Sequence, residues 1–161
     1  MKALFTALVL ACAVPATQAS EPPPPSAAVV KVLDKPLPPK EGRGKFLIGL
    51  AESEELRQFE SYTTRDWRRN FDRFAASLVQ KAGEQKLDSS SLRKVLDLIL
   101  QGPPKPGACL PVAAYQTTLE NKPIWIVILK RSNFSDEPAT HFAVYAFDQR
   151  TWGRVELIQC N

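Results

Sequence analysis

The sequence is poor in the side chains that most often bind metals or act as acid–base catalysts. Its 161 residues include a single histidine, His141. A catalytic zinc ordinarily takes three protein ligands, usually with histidines among them, and the chain has no HExxH, CxxC or EF-hand pattern. It also has no phosphate-binding loop and no G-x-S-x-G nucleophile elbow. The sequence therefore predicts no metal site, no cofactor and no catalytic residue, and it favours a protein that is not an enzyme.

No apolar stretch of the sequence is long enough to cross a membrane, which takes ~20 residues. The apolar stretch nearest the N-terminus, residues 3–14, follows Lys2 and precedes the small-residue site Ala16-Thr17-Gln18-Ala19. This arrangement is typical of a cleaved secretory signal peptide, here residues 1–19. We expect an exported protein, periplasmic or secreted, of bacterial type. A lipid anchor at Cys12 is disfavoured, because Leu10 is bulky for such a site and almost no apolar region would precede it.

Cysteine is scarce, and removal of the signal peptide would leave only Cys109 and Cys160. Two thiols in an oxidising compartment favour one disulfide between them, with two unpaired thiols as the alternative. Both cysteines fall at the same end of the predicted sheet, on its first and last strands. In a flat sheet with the strands in sequence order, they would lie ~14 Å apart, whereas a disulfide joins Cα atoms less than about 7 Å apart. The disulfide therefore requires a curled sheet or another strand order.

The excess of positive charge is small, with a formal net charge of +4 for the whole chain. Four arginines fall between residues 65 and 73, but aspartates interleave them, as on a solvated helix face. Nucleic-acid binding usually needs a clustered basic surface. The charge pattern therefore predicts no nucleic-acid partner.

Proline divides the chain into a linker and a domain. Residues 20–44 contain EPPPP and KPLPPK and predict a stiff linker, although their apolar middle is able to dock. Residues 45–161 have the size of one domain. Apolar side chains recur at helical spacing in two segments of its first half. The first segment has Trp67, Phe71, Phe74, Leu78, Val79 and Ala82, and the second has Leu92, Val95, Leu96, Ile99 and Leu100.

The second half of the domain changes to the alternating pattern of strands. Four strands are predicted at residues 110–118, 124–130, 141–147 and 154–160. Their connections are too short for crossovers, which favours antiparallel neighbours. The predicted fold is α+β, with two or three N-terminal helices packed on a four-stranded antiparallel sheet formed by the C-terminal half.

The second and third strands, KPIWIVILKR and HFAVYAF, are apolar on both faces. Both faces of the sheet must then be covered. The helices are able to cover one face. The other face needs residues 27–33 and 46–50, a partner protein or an apolar ligand. Trp125, Tyr145, Phe147 and Trp152 lie in or beside these strands and form the candidate binding face, although aromatic residues in a sheet are more often core.

These observations favour an exported, non-enzymatic binding or interaction domain of the cell envelope, with an unknown protein or apolar ligand as its partner. One alternative is a small exported enzyme that uses a cysteine together with His141. Another is a structural envelope protein without a ligand, in which residues 27–50 cover the second face of the sheet.

Overall fold

The computed structural model of the chain describes residues 25–60, 62–102, 108–132 and 138–160. The predicted signal peptide, including Cys12, lies outside the described residues. A short 3-10 turn, Pro25–Ala27, precedes the first strand. The helices are α1 (Lys40–Ala51), α2 (Glu54–Arg57), α3 (Trp67–Glu84) and α4 (Ser89–Gln101), and the strands are β1 (Val29–Val32), β2 (Cys109–Leu119), β3 (Lys122–Arg131), β4 (His141–Asp148) and β5 (Arg154–Cys160).

The sheet has five strands in the order β1-β2-β3-β4-β5. The strands β2 to β5 form an antiparallel meander, as predicted, whereas β1 pairs with β2 in parallel. The α+β prediction is confirmed, but the prediction of four purely antiparallel strands is wrong. The additional strand comes from the segment predicted as a linker, which also contributes the first turn of α1.

The helices α3 and α4 pack on one face of the sheet through the predicted apolar stripes. Phe71, Phe74 and Leu78 of α3 are buried. In α4, Ser91 accepts a hydrogen bond from the indole Nε1 of Trp125 in β3 at 2.6 Å. Asp88 rather than a serine caps α4, because its carboxylate accepts from the backbone N–H of Ser91.

The helices α1 and α2 cover the opposite face. Side chains of β3 alternate between the faces, so Lys130 points away from the side of Trp125. The Lys130 ammonium donates to the Glu60 carboxylate, just after α2, at 2.9 Å. In α1, Arg43 forms an ion pair with Glu156 of β5, with 3.7 Å between the charged atoms. Residues 124–129 are consequently 0% exposed, and the predicted burial of both faces is confirmed.

The free edge of β1 is protected by α3. The Lys81 ammonium donates to the backbone oxygen of Ser26 at 2.7 Å and also to that of Ala28, while the Gln85 amide donates to the backbone oxygen of Val30 at 2.9 Å. Unpaired edge groups favour pairing with other chains. These two side chains occupy one acceptor on β1 and two in the segment just before it. Within the described ranges, no helix combines the length and apolarity that a membrane span requires.

Candidate binding cleft

Three of the four aromatic residues in the candidate binding face come together at one end of the α4 layer. The strand register places Trp125 opposite Phe147, and Val127 opposite Tyr145, so these side chains share the face that carries α4. The Tyr145 and Phe147 rings are stacked, with centroids 6.4 Å apart and an angle of 8° between their planes. Trp152 follows in the turn between β4 and β5, and it is half-buried.

Trp125, by contrast, is a core residue. Its side chain is 0% exposed, and its one polar atom is satisfied by Ser91. The helix α4 covers it completely, so the structure separates Trp125 from the other three aromatic residues. It is therefore not available to a ligand at this face.

A cavity of about 340 Å³ lies between the C-terminal half of α4, β4 and the turn after β4. We call it the α4–β4 cleft. Its lining residues are Leu98, Ile99 and Gly102 from α4 and its end, together with Tyr145, Phe147, Trp152 and Arg154. At Gly102 the chain leaves the helix so closely that a Cβ atom would lie 2.8 Å from the backbone oxygen of Leu98.

The turn that carries Trp152 is rigidly organised. The Asp148 carboxylate accepts from the backbone N–H groups of Arg150 and Thr151 at 2.7 and 3.1 Å, and the Thr151 and Arg150 hydrogen bonds hold its pKa below the usual value. Trp152 itself has a left-handed backbone with φ of 60°, which is costly for a residue with a large side chain. The ring is contacted by the Lys94 ammonium of α4, 4.1 Å from the ring centroid.

Two buried polar atoms on the α4 face of the sheet, one of them on the cleft residue Tyr145, lack partners among the described residues. The Tyr145 hydroxyl and the Arg131 Nε are sealed from solvent, and neither makes a hydrogen bond within the described part of the chain. Burial raises the pKa of the Tyr145 hydroxyl, and the nearby Cys109 thiol adds to the rise. Arg131 and Gln159 both lower this pKa and so oppose the rise. The Gln159 side chain is close to the hydroxyl, but the two groups do not form a hydrogen bond of ordinary geometry.

The predicted disulfide between Cys109 and Cys160 is not formed, and both thiols are free. Cys109 lies on β2 and Cys160 on β5, which are three strand spacings apart in the strand order, or ~14 Å at the usual spacing. The register also places the two cysteines on opposite faces, because Cys109 pairs with Arg131 whereas Cys160 pairs with Phe142, the partner of Lys130. Distance and direction both exclude the bond.

A cysteine–histidine pair is equally disfavoured by this geometry. Burial raises the pKa of the Cys109 thiol to about 12, against a smaller lowering by Arg131, so the reactive thiolate is scarce at neutral pH. Arg131 also stands between Cys109 and His141 in the register. Cys160 faces the side of the sheet opposite to that of His141.

We expect iodoacetamide to modify Cys160 in the folded, unreduced protein while Cys109 stays protected. Cys109 is completely buried and Cys160 only partly, so alkylation of Cys109 requires opening of the core and should be at least about a hundredfold slower. Peptide mass mapping over a time course measures both rates. A disulfide-linked peptide pair, or equal rates at the two sites, would contradict the structure.

Sequence reasoning missed the contributions of Lys94, Leu98, Gly102 and Arg154 to the cleft. Leu98 and Lys94 lie beside the predicted apolar stripe of α4, and no local pattern indicates that β4 ends beneath them. The Trp-Gly pair at the end of DQRTWG was the available signal for an unusual turn. In the described ranges, no group of three or more histidine, cysteine, aspartate or glutamate side chains is arranged to hold a metal ion.

Comparisons of the chain with family models, curated proteins and solved structures find no match.

Proposed function

We propose that this protein is an exported, non-enzymatic binding domain that holds a small molecule with an apolar body in the α4–β4 cleft. Export rests on the N-terminal pattern of residues 1–19. The binding role rests on the cleft, which three of the four aromatic residues of the candidate binding face line. On the second face, α1 and α2 cover the central strand, so that its side chains there are buried.

The observation that carries the proposal is the conformation of Trp152. A half-buried indole on a left-handed residue is an expensive arrangement, and such strain persists where the surrounding structure enforces it, often at binding sites. Here the hydrogen bonds of Asp148 enforce it. The result is an aromatic wall opposite α4, held in place before any ligand arrives.

The size and chemistry of the cleft support the same proposal. Small-molecule sites are concave, mostly apolar, and commonly about 300–1,000 Å³ in volume, and the cleft has about 340 Å³. Stacked aromatic rings form one side and aliphatic side chains of α4 form the other. A flat or single-ring apolar group fits such a slot better than a protein chain does.

The neutral fluorescent probe N-phenyl-1-naphthylamine tests this function. We expect saturable binding to the mature protein, with enhanced and blue-shifted emission. Trp152→Ala should weaken binding by about tenfold, because loss of a central aromatic contact at a binding site typically costs more than about 1 kcal/mol. Fluorescence titration gives both dissociation constants.

Trp67→Ala is the matched control, because Trp67 is a half-buried tryptophan at the start of α3, outside the cleft. It should leave probe affinity unchanged. Probe binding that is absent, or that survives Trp152→Ala with full affinity, would favour a structural protein without a ligand at this site.

A further inference from the structure

Among the described residues that line the α4–β4 cleft, the charged one is Arg154, and none is an aspartate or glutamate. Lys94 adds a second positive charge above the Trp152 ring. Electrostatic complementarity therefore favours a ligand with a negative charge over a neutral or cationic one.

Two buried hydrogen-bond donors beside the cleft lack a well-placed acceptor among the described residues. Tyr145, which lines the cleft, is 2% exposed, yet its hydroxyl makes no hydrogen bond of ordinary geometry, and the Arg131 Nε is buried without a partner in the same part of the chain. Burial of a polar group without a partner costs free energy, and native structures contain few such groups without a reason. Both groups lie on the face of the sheet that carries α4, and Arg131 acts on the titration of Tyr145.

An exposed side chain lies beside the Tyr145 hydroxyl. Gln159 of β5 is exposed and approaches the Tyr145 hydroxyl. Its position opposite Ala143 places it on the same face of the sheet as Tyr145. An exposed glutamine moves aside at little cost, and its departure would open the hydroxyl to an acceptor from the cleft.

We propose that the ligand carries a carboxylate, which displaces Gln159 and accepts hydrogen bonds from the Tyr145 hydroxyl and the Arg131 Nε, beside the positive charge of Arg154. This inference rests on the proposed function and names the ligand class. A carboxylate suits two donors and a single apolar slot, because its two oxygens lie in one plane and carry one charge between them. The hydroxyl is able to donate at neutral pH, because the pKa of a tyrosine ordinarily lies at about 10 and burial moves it further up.

The experiment compares 3-phenylpropanoate with its neutral counterpart, 3-phenylpropan-1-ol, by calorimetric titration of the mature protein. We expect the carboxylate to bind at least about tenfold more tightly, as for a hydrogen bond to a charged group. Tyr145→Phe should remove about tenfold of carboxylate affinity and leave the alcohol unchanged. The same variant should be at least as thermally stable as the parent, because it deletes a buried hydroxyl that has no partner.

Charge is tested by a second pair of variants. Arg154→Gln should weaken carboxylate binding, because it removes a positive charge from the lining of the cleft. Arg150→Gln should not weaken it, because Arg150 is an exposed residue of the turn before β5 and does not line the cleft. Gln159→Ala should leave carboxylate affinity equal or higher.

The outcomes separate the two proposals. Equal affinity for acid and alcohol overturns the carboxylate assignment and leaves the cleft as an apolar site. Full carboxylate affinity in Tyr145→Phe also overturns the assignment. If neither compound nor the neutral naphthylamine probe binds, the proposed function falls as well.

Discussion

A chain that begins at Gly44 is expected to be largely unfolded, although it retains every predicted helix and strand of the C-terminal domain. The truncation removes β1 and the start of α1, including the buried side chains of Val29, Val30 and Leu37. Burial of one such side chain contributes about 1.5–3 kcal/mol. The combined loss of roughly 5 kcal/mol or more approaches the whole net stability of a typical domain. Thermal unfolding followed by circular dichroism measures the effect.

A matched pair of point variants shows whether β1 itself is responsible. Val30 is buried, whereas Val32, two residues later on the same strand, is 55% exposed. Val30→Ala should lower the free energy of unfolding by about 1–3 kcal/mol, and Val32→Ala by less than about 0.5 kcal/mol. A cooperative, native-like melt of the truncated chain would show instead that residues 25–43 are an appendage.

The C-terminal meander was predicted correctly because each of its strands and turns is indicated by residues that are close together in the sequence. Each of the four strands is an alternating or continuous apolar run between turn residues, and short connections leave antiparallel pairing as the simple solution. The strand β1 lacked such signals. It has only four residues, and its parallel partner begins about 80 residues later at Ala113. No local pattern reports a pairing across that distance.

The helix α1 was missed for a different reason. Its sequence, KEGRGKFLIGLA, contains three glycines, and no side chain caps its first turn after Pro39. Glycine disfavours a helix by about 1 kcal/mol per residue, so intrinsic propensity gives no indication of a helix here. Packing of Leu47 and Ala51, both 0% exposed, overrides that preference. Of the three covers left open for the second face, residues 46–50 contribute one as part of α1, whereas residues 29–32 of the other segment join the sheet as β1.

Within the candidate site, sequence identified which aromatic residues lie in the sheet but not which of them a helix covers. Trp125 and Phe147 are direct neighbours on one face. The difference between them arises from the position of α4, whose Ser91 reaches Trp125 while its C-terminal end leaves Phe147 beside the cleft. Helix placement of this kind depends on the packing of α4 against α3, which no single segment of sequence encodes.

Trp125→Ala is expected to lower the free energy of unfolding by about 3–5 kcal/mol, the usual cost of removing a large aromatic side chain from a core. The variant leaves a void beneath α4 and deletes the hydrogen bond to Ser91. Chemical denaturation monitored by far-ultraviolet circular dichroism gives the value. Ser91→Ala separates the contribution of the hydrogen bond from that of the packed ring. It keeps the Trp125 ring but leaves the indole N–H unsatisfied, at a cost of about 1–3 kcal/mol.

In contrast to Trp125→Ala, Trp152→Ala is expected to change ligand affinity more than stability, since Trp152 is half-buried and lines the cleft. Its effect on stability should be about 1 kcal/mol or less, and its main effect should be on ligand affinity. Under the proposed function, these two tryptophans of the same predicted face would differ, with Trp125 stabilising the core and Trp152 contacting the ligand. If Trp125→Ala were as stable as the parent, or if Trp152→Ala were the more destabilising of the two, α4 would not cover the sheet as described, and the cleft beside it would lose its physical basis.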